Sequence, residues 1–253
     1  MTETQTEWQD KMFKDYSDEF VEILAARPIP PAARSFLAAQ IGAAAGPALD
    51  LGCGSGRFLP VLSALSPMVV GLDYSPALVR HAGRSAAGLS NVLVVHHDMH
   101  LLRELFVADS FSFILKVYTS LGYFNYEQEL AILQQCRQIA RPGCVLIVDT
   151  FNAEWIRTVG SFERLTQLSS FTLHEAYRWE VEQRSIVCRW TYRWRDRSHE
   201  IDFRLEGYDL QRIDALLHAA GWHRRGLFSD YALDSITDGG AAAERLVVTA
   251  SRL

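Results

Sequence analysis

Between Ala48 and Phe58 the chain reads Ala-Leu-Asp-Leu-Gly-Cys-Gly-Ser-Gly-Arg-Phe, with Gly52, Gly54 and Gly56 at alternate positions. Gly46-Pro47 closes the segment before it, and Ala48 to Leu51 reads as a short buried strand. Phe58, Leu59, Val61, Leu62 and Leu65 then recur at helical spacing. A strand, a glycine bend and a helix in that order bring bare backbone close to a ligand at the helix N-terminus. Glycine bends are common, so the reading rests on three features downstream.

The first is a second strand, Val69 to Leu72, ending at Asp73. It lies about 20 residues past the bend, where dinucleotide folds place the acid that holds a ribose. An NAD site asks for G-x-G-x-x-G, whereas here the glycines fall as G-x-G-x-G after Leu-Asp-Leu. A phosphate loop of the G-x-x-x-x-G-K-[ST] kind is excluded, because no Lys-Ser or Lys-Thr follows. The pattern resembles motif I of the class I S-adenosylmethionine (SAM) methyltransferases, and Asp73 resembles their ribose-binding acid. The second feature is the strand Val92 to Val95 followed by His96-His97-Asp98-Met99. This resembles the family's adenine pocket, which implies that Asp98 accepts from the exocyclic amine and Met99 covers the ring. An acid in such a loop can instead cap the next turn, and His97 reads as a packed or solvated loop histidine.

The third feature is the longest. An apolar strand from Phe111 to Val117 runs into Tyr118-Thr119-Ser120-Leu121-Gly122-Tyr123-Phe124. A helix with Leu130, Leu133, Cys136 and Ile139 on one side follows, then Arg141-Pro142-Gly143, a strand from Val145 to Val148, and Asp149-Thr150-Phe151-Asn152. The block resembles a bacterial small-molecule subgroup of class I methyltransferases with a T-S-x-G-Y-F segment, an R-P-G-G turn and a D-x-x-N strand end. It departs from that pattern at Cys144, where a glycine is usual, and at Ser112, where an aspartate is usual. The resemblance spans roughly Ala48 to Asn152. It implies SAM as cofactor and S-adenosylhomocysteine as product, with Asp50, Gly52, Cys53, Gly54, Gly56, Asp73, Tyr74, Asp98, Met99 and Lys116 around the cofactor.

Alternating strands and helices of this kind predict a parallel sheet covered on both faces. The expected fold is α/β, and the resemblance implies a seven-stranded, mostly parallel sheet whose final strand, from Arg245 to Ala250, is antiparallel. Ligands in such sheets sit outside the carboxyl ends of the strands. The glycine bend, Asp73, Asp98 and Tyr118 to Ser120 all fall at such ends. Ser75-Pro76 supplies a helix start after the second strand, with serine as N-cap and proline at the first helical position.

Two additions flank this core. Trp8 to Ala26 carries Phe13, Tyr16, Phe20, Ile23 and Leu24 at helical spacing, and Arg27-Pro28-Ile29-Pro30-Pro31 breaks it before a second helix, about Ala32 to Ala45. The resemblance implies that residues 1–46 form a helical lid over the SAM cleft and 47–253 the SAM-dependent methyltransferase domain. For Tyr16 both a ligand contact and plain packing are open. After Asn152 the pattern turns to alternation: Phe171, Leu173, Tyr177, Trp179 and Val181, then Ile186, Cys188, Trp190, Tyr192 and Trp194, then Ile201, Phe203 and Leu205. Period-2 runs of this kind predict inserted antiparallel strands at about 171–206 with one buried face. A helix from Leu210 to Ala220 and a strand near Trp222 to Phe228 follow.

Charge and cysteine usage narrow the partners. The net charge is −5, which disfavours a broad nucleic-acid footprint. Arg178, Arg189, Arg193 and Arg195 lie on the strand face opposite the tryptophans, so rings and cations cannot serve one RNA strand together. The four cysteines are scattered without a C-x-x-C pair, so neither a metal site nor a disulfide framework is expected. Met1 to Asp10 lacks a signal-peptide pattern and no apolar run reaches membrane-span length, which points to a cytoplasmic protein, monomer or homodimer.

A sulfonium methyl is already activated, so the protein's main task is to hold a nucleophile in line with it. An amine must arrive neutral at the moment of attack, whereas a hydroxyl usually wants a base within reach. By position, Tyr118, Thr119, Ser120, Tyr123 and Asn152 are the candidates to face the acceptor, and His174 and His199 are candidate bases from the inserted sheet. The [DNS]-P-P-[YFW] segment of adenine and glutamine N-methyltransferases is absent. The expected activity is methyl transfer to nitrogen or oxygen of a small metabolite. A protein or RNA acceptor, or a SAM-binding protein that no longer transfers methyl, are the alternatives.

Overall fold

The computed structural model of the chain describes residues 8–42, 46–194, 196–236 and 240–252. Its core is a seven-stranded sheet in the order β10-β11-β5-β4-β1-β2-β3. The strands are β1 (Ala48–Leu51), β2 (Val69–Asp73), β3 (Val92–His96), β4 (Phe111–Lys116), β5 (Ala140–Phe151), β10 (His223–Phe228) and β11 (Arg245–Ser251). Only β11 runs against its neighbours; β1 pairs in parallel with both β2 and β4. Every residue of β1 and β2 is buried, as expected of central parallel strands covered on two faces. The order changes direction at β1, so the crevice between the ends of β1 and β4 is the topological switch point where such sheets take ligands.

Helix ends follow their local chemistry. Ser75 caps Pro76–Ser85 by accepting from the Leu78 N–H, and Asn125 with Gln128 forms a reciprocal capping box on Tyr126–Ile139. Asp209 caps Leu210–Ala219 through the Arg212 N–H at 2.9 Å. Trp222, fully buried just before β10, donates from Nε1 to the Leu133 carbonyl at 3.0 Å and ties that last helix to the capping-box helix.

The insertion is a separate four-stranded antiparallel sheet, β6 (Ser161–Gln167), β7 (Phe171–Glu180), β8 (Ser185–Trp194) and β9 (Arg197–Glu206). It is one strand wider than the alternation predicts, and a helix, Ala153–Val159, precedes it. The extra strand is invisible to an apolar count because its pattern is inverted: Leu165 points outward and is 64% exposed, while Arg164 and Thr166 are half-buried. Val181, assigned to the buried face, lies instead in the β7–β8 turn and is 75% exposed.

The N-terminal segment fills the space between the two sheets. A π-helical turn at Lys11–Asp15 breaks at Tyr16 before α1 (Ser17–Ala25), so the single helix expected from Trp8 to Ala26 is two pieces. A second helix, α2, covers Ala33–Ile41, and the remainder of its expected extent, residues 43–45, lies outside the described residues, as do 1–7 of the expected lid and Arg195. Trp8 stacks on Phe203, Phe20 on Trp190, and Tyr16 on His199 at 4.3 Å between centroids. Tyr16 is thus packing against the inserted sheet. These rings, with Leu78 and Phe151 of the core domain, form one apolar cluster that joins all three parts.

Candidate functional site

The glycine bend takes its shape from two requirements. Gly52, Gly54 and Gly56 all have positive φ, the region open to glycine and strained for other residues. At Gly56 (φ 82°) a Cβ would also stand 3.0 Å from the backbone of Ala82, so this glycine lets the Pro76–Ser85 helix pack on the bend. Asp73 fixes the bend from β2. Its Oδ2 accepts from the Gly54 N–H at 2.8 Å and its Oδ1 from the Ser75 N–H at 2.9 Å. Burial raises the Asp73 carboxyl, and these backbone donors pull against that rise.

Around the bend lies a cavity of about 420 Å³. Asp50, Gly52, Cys53, Gly54, Asp73, Tyr74, Asp98 and Met99 line it, so eight of the ten residues expected around a cofactor meet there. Gly56 lies behind the wall. Lys116 is the correction: its ammonium turns away from the cavity to Glu129 (3.1 Å) and to the Ser120 carbonyl, with both side chains fully buried. Since Glu129 also accepts from the Gly122 N–H at 2.9 Å, this pair pins the loop after β4 from below.

Asp98 takes the capping part that its loop position allowed. It caps the turn at Met99–Leu101, and its Oδ1 accepts from the His100 N–H at 2.9 Å and meets His100 Nδ1 at 2.7 Å. That ring holds the Asp98 carboxyl below the ordinary carboxylate range. The carboxyl still borders the cavity, beside His100 and Phe124, which pack edge to face at 4.4 Å.

Among the described residues three polar atoms of wall side chains are buried without partners: Asp50 Oδ2, His100 Nε2 and Ser120 Oγ. Burial, with the Asp73 charge nearby, pushes the Asp50 carboxyl up to about 7 while Arg57 opposes the shift. A partnerless buried carboxylate bordering a cavity is a seat for a cation. Arg57, just past the bend, makes no ion pair among the described residues, although it feels the Asp50 charge. Its guanidinium lies 3.9 Å from the centroid of the Tyr118 ring and donates to the Arg27 carbonyl. The donor set therefore fits SAM. Asp50 and Arg57 suit the two ends of an amino acid zwitterion, Asp73 a ribose, and Asp98 with Met99 an adenine.

The loop after β4 is held under strain. Tyr118 and Thr119 have φ of 59° and 69°, as do Asp230 and Tyr231 opposite at 48° and 62°. Both pairs close on Asp149 at the end of β5. The Tyr118 N–H donates to Asp149 Oδ2 at 3.1 Å, the Tyr231 hydroxyl to the same oxygen at 2.8 Å, and Arg245 Nε to Oδ1 at 2.9 Å. Arg245 also donates to Thr119 Oγ1 at 3.0 Å. These residues come from sequence distances that no motif spans; only the D-x-x-N strand end pointed at Asp149.

A second cavity, about 240 Å³, lies beyond Tyr118 and Tyr123, which border both spaces together with Phe20 and Leu24. The N-terminal segment (Met12, Arg27, Pro30), the strained loop, and the inner face of the inserted sheet (Arg164, Glu175, Tyr177, Trp190) enclose it. Of the candidates to face an acceptor, Tyr118 and Tyr123 border both cavities, Thr119 the second and Ser120 the first. Asn152 borders neither. It is fully buried, its Nδ2 donates to the carbonyls of Gly240 (2.9 Å) and Ala243 (2.8 Å), and its Oδ1 caps the next helix at the Glu154 N–H. His174 pairs with Glu163 at 2.9 Å outside both spaces, and His199 lies under Tyr16. A wider hollow of about 860 Å³ runs along the inserted sheet, but its charged groups are exposed and paired, as in Arg189 with Asp202 at 2.7 Å. Among the described residues no three His, Cys, Asp or Glu stand together as a metal site, and no helix is long and apolar enough to cross a membrane.

The model of a family described as a methyltransferase domain matches residues 48–143. That stretch contains the bend, Asp73, Asp98 and the loop after β4. No curated protein matches the chain. Solved structures do. A S-adenosylmethionine-dependent methyltransferase from Clostridium acetobutylicum is 13% identical, with 95% of this chain and 98% of that one covered at a TM-score of 0.77. The CcbJ methyltransferase from Streptomyces caelestis is 20% identical, with both chains fully covered and a TM-score of 0.77. A SAM-bound amino pentose methyltransferase from Micromonospora echinaspora is 19% identical, with 98% and 94% covered and a TM-score of 0.61. At these identities the structural likeness establishes the class I methyltransferase fold, the inserted sheet included.

Proposed function

We propose that this protein is an S-adenosylmethionine-dependent methyltransferase that moves a methyl group to a nitrogen or oxygen of a small metabolite, which the second cavity holds. The observation that carries the reading is the pair of connected spaces sharing Tyr118 and Tyr123 as a common wall. One has the donor set for SAM; the other is a partly roofed space of about 240 Å³, room for a small acceptor or the reacting end of one. A polypeptide or RNA would need an open groove, and about 240 Å³ under a roof does not offer one. The cofactor supplies a methyl group on a sulfonium, already activated for attack.

The protein's part is binding and placement. Asp73 and Asp98 would fix the adenosyl end, Asp50 and Arg57 the amino acid end, and the bend would let the chain approach closely. The described part of the N-terminal segment would act as a lid, since Phe20 and Leu24 border both spaces and Leu24 reaches to within 3.1 Å of where a Cβ on Gly54 would stand. Tyr118 and Tyr123 orient the acceptor and keep water from the reacting atoms. The Tyr123 phenol, lifted above its ordinary range by burial, stays protonated and acts as a hydrogen-bond donor rather than a base. The sequence block from Thr119 to Phe124 supports placement in the bacterial small-molecule subgroup.

Methyl transfer from radiolabelled SAM tests the reading, with small-molecule extracts, protein and RNA offered separately. Label in the small-molecule fraction, lost with Asp73→Ala, is the expected result. Label only in protein or RNA would refute the acceptor class, and SAM bound but never consumed would refute transfer.

A further inference from the structure

The roof of the second cavity carries one acid on a strand whose other inward positions are apolar or aromatic. The inward positions of β7 are Phe171, Leu173, Glu175 and Tyr177, and the Glu175 side chain is completely buried among them. Across the sheet it stands in register between Arg164 of β6 and Trp190 of β8. Its neighbour Arg164 is not its partner, because that guanidinium pairs with Glu244 instead. Glu175 accepts from the Tyr177 hydroxyl at 2.6 Å, and its other oxygen meets Arg27.

Arg27 belongs to neither sheet. It stands in the proline-containing segment between α1 and α2, its side chain is 29% exposed, and its guanidinium lies 5.9 Å from the Trp190 ring centroid. A buried carboxylate beside a phenol and an indole face is what an organic cation needs. For stability alone, an apolar pair of the same volume would serve this face as well as an ion pair does. The segment is also tied to the cofactor space: Arg57 donates to the Arg27 carbonyl, and the Tyr118 hydroxyl to that of Pro28 at 3.4 Å.

We propose that Glu175 and Trp190 seat the cationic nitrogen of an amine acceptor, and that Arg27 is a stand-in cation which occupies this seat until the acceptor displaces it. Once seated, the nitrogen passes a proton to the Glu175 carboxylate and so frees its own lone pair for attack. The proposal rests on the methyltransferase reading and narrows its acceptor to small amines over alcohols. It also couples the two sites, since an amine that moves Arg27 pulls on the segment that Arg57 and Tyr118 hold at the edge of the cofactor space.

The test uses the full chain saturated with S-adenosylhomocysteine, titrated with cyclohexylamine, cyclohexanol or cyclohexanecarboxylate as probes. Wild type should prefer the amine. Arg27→Gln should bind it roughly tenfold more tightly, the scale of one charge-assisted hydrogen bond, with the alcohol unchanged. Glu175→Gln should bind amine and alcohol alike. If Glu175→Gln does not fold, the Arg27→Gln result decides alone. Failure of Arg27→Gln to gain amine affinity, or preference of the wild type for the alcohol or the carboxylate, would overturn the proposal. S-adenosylhomocysteine affinity measured on the same samples separates the two levels. Its absence defeats the methyltransferase reading, whereas its presence without amine preference defeats this proposal only.

Discussion

Asp50 provides the sharpest quantitative expectation. Its carboxyl is 2% exposed, leaves Oδ2 without a partner, and is raised from 3.8 to about 7. Between those two values the folded state binds a proton that the unfolded state has released, so stability falls as pH rises and the full cost is present above pH 7. Integrating the shift gives about 4 kcal/mol at pH 8 and less than half of that at pH 5. Asp50→Asn removes the charge and keeps the shape. In urea denaturation of the ligand-free protein, the variant should therefore be more stable than wild type at pH 8 by up to about 4 kcal/mol, with under half of that gain left at pH 5. A ligand ammonium at Asp50 would hold the carboxylate ionised, so S-adenosylhomocysteine affinity of the wild type should rise about tenfold from pH 6 to pH 8, releasing a proton at the lower pH. The variant should bind more weakly and with a flat profile. An Asp50→Asn protein less stable than wild type at pH 8, or one that keeps the wild-type pH profile of binding, would refute the argument that this carboxylate is held in readiness for a cation.

Two further outcomes follow from the hydrogen-bond geometry. Asp149→Ala strands Arg245 and releases the strained Tyr118-Thr119 turn, so it should cost about 3–5 kcal/mol in denaturant titration and impair cofactor binding as well. An unchanged midpoint would show that the clamp is dispensable. Asn152→Ala should cost about 2–3 kcal/mol through two unsatisfied carbonyls and a lost cap, yet leave S-adenosylhomocysteine affinity within twofold in calorimetry. A large affinity loss without a stability loss would restore Asn152 to the site.

The difference between Asn152 and Asp50 shows what a sequence of this kind discloses. The bend, Asp73 and Asp98 could be placed because each sits at a strand end a short, regular distance from the last, and parallel sheets put strand ends on one rim. Asn152 and Lys116 occupy strand ends too, but their partners lie at Gly240, Ala243 and Glu129, and no local pattern announces those bonds. Asp149 and Arg245 meet across 96 residues for the same reason. Glu175 had a signal: it interrupts the alternation of β7 at an inward position. Counting apolar residues alone passes over it, although an acid on an apolar face is the more informative observation. The strand β6 escaped because two of its three inward residues, Arg164 and Thr166, are polar and border a cavity, which leaves Phe162 as its one inward apolar residue.

The central claim is that the rim of the core sheet around the bend seats SAM. A crystal structure of the full chain grown with S-adenosylhomocysteine tests it most directly. The account predicts the ribose at Asp73, the adenine at Asp98 and Met99, and the amino acid end at Asp50 and Arg57, with the sulfur facing Tyr118 and Tyr123. Density for the ligand at another place, or a bend closed by the surrounding side chains while the ligand stays in solution, would contradict it.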